Sequence, residues 1–305
     1  MNIKEKLLKQ LAQSEKIANA SKLIRLLQNP VKYILAIGHK KLIYSKNKEG
    51  ILKETNTFFD KKMMVMLPAG TDIYLTGAKS HISEIRLARY LIHQLNNGDT
   101  FLDVGAHFGY FTSLASTLVG KEGRVFSIEA SKNTFKVLKK NIAKVENIKC
   151  FQMAIADKNE PLKFYEFPIL FSEYNSTEVN QYIHEPWYQK NKPTKFLVEC
   201  ITLVDFINNH GIQPKIIKID VEGAEHKVID GGMEYFKNNV PIIIMEYLEP
   251  KRYNVSHRKA TETLRQLGYK TMLIQKNGNL KPCEDIEAYL EEFQLESDNV
   301  VFVKA

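Results

Sequence analysis

Between Phe101 and Glu129 the chain reads as strand, glycine-bearing turn, helix and second strand, and no other stretch of its 305 residues restricts the fold as sharply. Phe101-Leu-Asp-Val104 has the length and apolarity of a buried strand, Gly105 and Gly109 bracket a tight turn, and a helix starts near Phe108. Two strands joined through a helix pair in parallel, and parallel strands need helices over both sheet faces. The alternation continues to the C-terminus. Strands are predicted at Thr100 to Val104, Arg124 to Glu129, Ile148 to Ala154, Ile216 to Val221, Pro241 to Tyr247, Tyr269 to Ile274 and Asn299 to Val303. Helices are predicted at Phe108 to Leu118, Lys132 to Val145, Leu203 to His210, Glu225 to Asn238 and Ser256 to Leu267. The expected fold is α/β: a seven-stranded, mostly parallel, Rossmann-like sheet with helices on both faces.

Glycine at 105 and 109 permits φ above zero and lets a ligand approach where a Cβ would stand. The turn aims the free amides of a helix N-terminus at that ligand. Asp103 followed by Gly-x-x-x-Gly differs from the Gly-x-Gly-x-x-Gly of dinucleotide sites. An anion at Asp103 repels a pyrophosphate and suits the ammonium and sulfonium charges of S-adenosylmethionine. Glu129, closing the second strand, can accept both hydroxyls of a ribose. Adenine is expected beside Ala154 at the end of the third strand, with Asp157 a partner for its amino group or simply a cap. Together these residues point to a class I, S-adenosylmethionine-dependent methyltransferase rather than to plain surface turns.

The sequence resembles the FkbM-type methyltransferases from about Met64 to the C-terminus. The likeness rests on Gly98-Asp-Thr-Phe-Leu-Asp-Val-Gly-Ala-His-Phe-Gly-Tyr-Phe-Thr112, on Ser127-Ile-Glu-Ala130 and most specifically on Ile217-Lys-Ile-Asp-Val-Glu-Gly-Ala-Glu225. It implies methyl transfer from S-adenosylmethionine to a hydroxyl of a natural product, lipid, sugar or glycan. It adds His107, where the family usually has Asn, and Ala130 to the cofactor-binding positions. With their place in the chain, it also suggests that His81 and Glu84 close the acceptor pocket.

Lys218 and Asp220 share one face of their strand, and Asp220 and Glu222 should border the ligand crevice beyond its carboxyl end, with Glu246 at the end of the next strand. A hydroxyl acceptor needs a base as methyl transfer develops, and a carboxylate or a lysine of lowered pKa can serve. Lys218 and Asp220 read equally well as a structural ion pair. Three acids at strand ends could also hold Mg²⁺, although no spacing here demands a metal. Glu225 and His226 read as the start of a helix. Leu162 to Tyr188 holds eight aromatic residues, among them Tyr174 and Trp187, and is a candidate acceptor lid or a packed hairpin.

Residues 1–62 contain 14 Lys plus Arg against 5 Asp plus Glu, which leaves 29 against 30 for the remainder, so the net charge of +8 resides at the N-terminus. Leu7, Leu8, Leu11, Ile17, Ile24 and Leu27 recur at helical spacing up to Asn29-Pro30, predicting one or two helices that stop there. Short β-like runs follow between Val31 and Leu75, including Met63 to Leu67 and Asp72 to Leu75, then a helix from Ser83 to Leu95. The expected organisation is a basic helical arm with the start of a β appendage over 1–62, a lead-in over 63–98, and the methyltransferase domain over 99–305. The arm could meet an anionic membrane surface or present a solvated face. The absence of a signal or spanning segment predicts a cytoplasmic protein, peripheral at the membrane if the arm binds lipid. Cys150, Cys200 and Cys283 are too scattered for a disulfide framework or a thiolate zinc site. A nucleic-acid enzyme is disfavoured, since Ile-Asp-Val-Glu-Gly stands where base-modifying enzymes place Pro-Pro-aromatic. A ribose 2′-hydroxyl acceptor and a non-enzymatic adenosine-binding scaffold remain as alternatives.

Overall fold

The computed structural model describes residues 2–304. Helices Ile3–Ala18, Lys22–Gln28 and Pro30–Gly38 come first, the last running on through a π-helical stretch at His39–Tyr44. An antiparallel hairpin of β1 (Ile51–Asn56) and β2 (Lys62–Leu67) and a short helix, Thr71–Thr76, precede helix Ile82–Gln94. Then come β3 (Thr100–Val104), β4 (Arg124–Ile128) and β5 (Ile148–Phe151). The short strands β6 (Ala154–Ala156), β7 (Leu162–Glu166), β8 (Thr194–Val198) and β9 (Cys200–Thr202) follow. β10 (Ile216–Ile219), β11 (Ile242–Leu248), β12 (Lys270–Ile274), β13 (Leu280–Pro282) and β14 (Ser297–Val303) complete the chain.

The main sheet runs β13-β12-β14-β11-β10-β3-β4-β5. β5, β4, β3, β10 and β11 are mutually parallel, while β14 pairs antiparallel with both β11 and β12. This is the class I methyltransferase arrangement. From β3 the chain builds outward through β4 and β5, then returns to lay β10 on the other side of β3. That reversal opens a crevice at the carboxyl ends of β3 and β10, the place where open α/β sheets bind ligands. All seven expected strands are present, and a three-residue hairpin strand, β13, extends the sheet to eight. One expected strand, Ile148 to Ala154, divides, because the chain turns away after Phe151 and β6 pairs with β9 instead.

Both sheet faces are covered. Leu91, Phe101, Phe111 and Leu114 belong to one buried cluster, and Leu102, Phe206, Val228 and Leu264 to the other. The first helix joins the former through Leu7 and Leu11, which are 1% and 0% exposed. Lys4 Nζ donates to His93 O and Asn96 Oδ1, and Lys6 pairs with Asp60, so the N-terminal 16-residue helix is fastened to the body.

Three local expectations fail. The helix Lys22–Gln28 stops at Asn29 as expected, but Pro30 opens another helix where β-like runs were expected from Val31: its missing N–H costs nothing at that position, and Asn29 Oδ1 caps the turn by accepting from Lys32 N. Asp72 to Leu75 is helical, not extended. The expected helix Glu225 to Asn238 breaks at Gly231-Gly232, where a Cβ on Gly231 would overlap the carbonyl of Ala156. Among the described residues no helix is long and apolar enough to cross a membrane, and the three cysteines are free.

Candidate active site

The turn after β3 is set by its backbone. Gly105 and Gly109 have φ of 83° and 84°, and His107 between them sits at 50°, a left-handed value that Asn, Asp and His tolerate best among residues with a side chain. His107 N–H donates to Glu129 Oε2 at 2.8 Å, and Ser131 N–H donates to Oε1 at 2.8 Å. Glu129 is thus clamped at the end of β4 by two amides. Burial still pushes its carboxyl up to about 7, against the pull of those amides. The His107 ring contacts Phe108 and pairs through Nε2 with Ser172 Oγ at 3.0 Å. Burial, helped by the nearby Lys79, holds that imidazole down at about 3, so it is neutral.

A second group gathers at the ends of β10 and β11. Lys218 Nζ lies 2.9 Å from Asp220 Oδ2 and 3.7 Å from Asp103 Oδ1, with only 4% of its side chain exposed. Burial opposes the ammonium charge, yet Asp220 and Asp103 outweigh it and raise the lysine above its ordinary value. Burial likewise opposes ionisation of Asp220, but Lys218 and Lys79 prevail and hold it below the usual carboxylate range. Glu222 and Glu246 behave oppositely. Burial first, then neighbouring carboxylates, drives Glu222 well up and Glu246 to about 7. Asp220, Glu222 and Glu246 each offer an oxygen within 4.8 Å of the others, a spacing that a divalent cation could bridge.

The turn holding Glu222 is as constrained as the first. Glu222 has φ of 57°, Gln181 Nε2 donates to its carbonyl, and Tyr182 OH donates to Oε2 at 2.7 Å. Glu225 starts the next helix and accepts from the amides of Val221 and Gly223, with His257 Nε2 at 3.2 Å behind it. Its role is to fix the turn, as expected of a helix start.

These walls enclose a cleft of about 560 Å³. Gly105, His107, Glu129, Ala130, Ala154, Asp220, Glu222, Glu246, His81, Glu84 and Tyr174 all line it. Five other expected residues do not. Asp103 is fully buried beneath the floor, accepting from Thr112 Oγ1 at 2.6 Å, so it acts on the cleft only through Lys218. Lys218 is buried with it. Gly109 faces Leu138, and Asp157 is exposed outside the cleft. Trp187 packs in a small aromatic core of the insertion, stacked on Phe171 at 4.6 Å and on Tyr174 at 5.1 Å, so it backs Tyr174 instead of meeting a ligand.

The insertion forms the expected hairpin and also borders the cleft. β7 and β8 form a hairpin, while Ser172 to Asn175 and Thr177 line the cleft. Five charged cleft residues escaped the sequence reading: Asp72, Lys79, Glu173, Arg252 and Glu296. Lys79 Nζ pairs with Glu84 at 2.9 Å, and Glu173 is raised to about 7 by burial. Arg252 follows β11 and also lines the cleft. Counting the wall, eight acids (Asp72, Glu84, Glu129, Glu173, Asp220, Glu222, Glu246, Glu296) face two strong bases, Lys79 and Arg252.

A family model described as the methyltransferase FkbM domain matches residues 103–271, more than half of the chain, and that of the protein-L-isoaspartate(D-aspartate) O-methyltransferases matches residues 34–160. Over 158 residues, 50% of this chain and 76% of the other, the sequence is 27% identical to a protein of Saccharolobus solfataricus described as a probable cobalt-precorrin-6B C(15)-methyltransferase (decarboxylating). The fold is similar to an FkbM methyltransferase of Methylobacillus flagellatus, with a TM-score of 0.44 and 12% identity, covering 77% of this chain and 52% of that one. It is also similar to precorrin-6y C5,15-methyltransferase of Geobacter metallireducens, with a TM-score of 0.41 and 14% identity, covering 73% of this chain and 88% of that one.

Proposed function

The chain belongs to the FkbM methyltransferase family and is an S-adenosylmethionine-dependent methyltransferase, and from that premise we propose that it methylates a hydroxyl oxygen of an uncharged acceptor: a sugar, glycan, lipid or natural product. The observation that carries this reading is the trio Asp220, Glu222 and Glu246, gathered at the ends of β10 and β11 in the same cleft as Glu129.

The cofactor fits the residues present. Glu129, already organised by two amides, would accept the ribose hydroxyls, and Ile128, Met153 and Ile155 give an apolar wall beside it for a purine. The excess of acids suits a cationic ligand. When bound, S-adenosylmethionine supplies an electrophilic methyl group on a positively charged sulfur.

The protein's own part is then to orient the acceptor oxygen and take its proton. Asp220, ionised beside Lys218, accepts a hydrogen bond from a hydroxyl and holds it. Glu246, raised to about 7, or Glu222, raised well above the ordinary carboxylate range by burial, receives the proton in its ionised form as the oxygen bonds to carbon and the sulfur leaves as a thioether. The acids of the wall, with Asp220 held ionised beneath them, disfavour a nucleic acid or any phosphorylated acceptor, because a phosphate would have to sit against carboxyls and keep several of them protonated. A non-enzymatic scaffold has no use for buried carboxyls poised in this way.

The test is methyl transfer from methyl-labelled S-adenosylmethionine to a panel of neutral sugars, glycolipids, natural-product alcohols and RNA, with the new bond located by mass spectrometry and NMR. An O-methyl on a neutral acceptor supports the reading. Transfer only to carbon, to nitrogen or to RNA overturns it.

A further inference from the structure

Between Glu15 and Glu49 the chain carries eight Lys and Arg and not one Asp or Glu. The structure shows a second property of this segment that its charge alone does not reveal. Leu23, Leu27, Val31, Ile34, Leu42 and Ile43 are each at least half exposed, at 64%, 71%, 74%, 64%, 69% and 50%. Leu23 and Leu27 stand four residues apart, and Val31 and Ile34 three apart, so each pair shares one side of its helix. The exposure does not come from a loose segment. Ala36 and Tyr44 are buried, and Lys32 Nζ donates to Thr55 Oγ1 at 2.8 Å and to Tyr74 O at 3.2 Å, so the other side is fastened to the body.

Bulky apolar side chains held in water by an otherwise well-packed protein mark a contact surface. Lys22, Lys40, Lys41 and Lys46 are exposed among them. We propose that this face docks on an anionic lipid surface, the apolar side chains entering the headgroup boundary and the lysines meeting lipid phosphates. Charge selects that occupant over a second copy of the chain, because two such faces pressed together would oppose lysine to lysine. The first helix contributes little, since Leu7, Leu11, Lys4 and Lys6 are already engaged within the protein.

The test is sedimentation of the full-length protein with phosphatidylcholine vesicles, with and without phosphatidylglycerol. Two variants accompany it: Leu27→Ser/Val31→Ser/Leu42→Ser and Lys40→Gln/Lys41→Gln/Lys46→Gln. The wild type should pellet with the anionic vesicles and less so in high salt, and each variant should lose at least about tenfold in partition, with melting temperature and S-adenosylhomocysteine affinity unchanged. Failure of the wild type to pellet, or equal binding to neutral vesicles, overturns the proposal. So does a dimer on a sizing column that the serine variant dissociates, which would assign the face to a second copy.

Discussion

A Cβ placed on Gly105 would overlap the backbone carbonyl of Asp220, so the turn after β3, proposed to receive the cofactor, and the end of β10, proposed to meet the acceptor, approach backbone to backbone. Gly105→Ala therefore forces two neighbouring strand ends apart and also imposes a left-handed φ on an alanine. The expected cost is about 3 kcal/mol or more, the sum of backbone strain and overpacking. Thermal melts and S-adenosylhomocysteine titration should show lower stability and lost affinity together. An alanine variant that melts and binds like the wild type would refute the close approach.

Glu129 predicts a pH dependence of cofactor affinity. Its carboxyl is pushed up to about 7 in the ligand-free protein, and two ribose hydroxyls donate more strongly to the ionised form, which offers both oxygens as charged acceptors. Binding therefore lowers this pKa and releases a proton, so affinity is full above pH 7 and falls by up to about tenfold per unit below it. Calorimetry in buffers of different ionisation enthalpy reads the proton directly. Glu129→Gln, which keeps the shape but not the charge, should weaken S-adenosylmethionine by about 1.5 to 3 kcal/mol and flatten the profile.

The carboxylate trio should separate binding from turnover. Glu222→Gln and Glu246→Gln are expected to leave cofactor affinity within about threefold, and the one that takes the proton should lower kcat by about 10²- to 10⁴-fold. Asp220→Asn should instead raise the acceptor KM if its part is holding the hydroxyl. Adding a chelator to the wild type distinguishes a bridging cation: unchanged turnover leaves the carboxylates acting alone, and loss restored by Mg²⁺ assigns them to a metal.

Lys218 lies under the floor with Asp103 and pairs upward with Asp220, so its removal should act through stability first. Lys218→Met leaves a buried carboxylate unpaired and should cost about 3 to 5 kcal/mol. The double variant Lys218→Met/Asp103→Asn removes that charge and should regain part of the melting temperature. A folded, stable and inactive single variant would instead make the lysine a participant in the chemistry.

Local marks made the sheet readable. The buried run Phe101–Val104, the positive-φ glycines and the acid at Glu129 lie close together in sequence, and each leaves a signature that needs no knowledge of the rest. The same holds for Asp220 and Glu222 at the end of an isoleucine-rich strand. Lys79, Glu173 and Arg252 left no comparable trace, because they reach the cleft from the lead-in, the insertion and a turn after β11, which only the tertiary fold brings together. Asp103 was found for the right turn but placed wrongly. Strand periodicity says which face a side chain takes, not whether a lysine and a threonine close over it. The N-terminal region misled for another reason: Val31 to Ile43 is nearly as apolar outside as inside, so its pattern lacks the contrast that separates helix from strand.

The reversal of the chain between β3 and β10 has a consequence for how this protein could change. The side of the cleft with Gly105 and Glu129, proposed for adenosine, is furnished by β3 and β4, the side with Asp220, Glu222 and Glu246, proposed for the acceptor, by β10, β11 and the aromatic insertion, and the two halves abut at Gly105 and Asp220. Substitutions that recut the pocket for a new alcohol can accumulate on the second half while the first goes on holding the same donor. On the proposed reading the architecture separates a fixed power supply from an interchangeable tool head, with one glycine as the coupling.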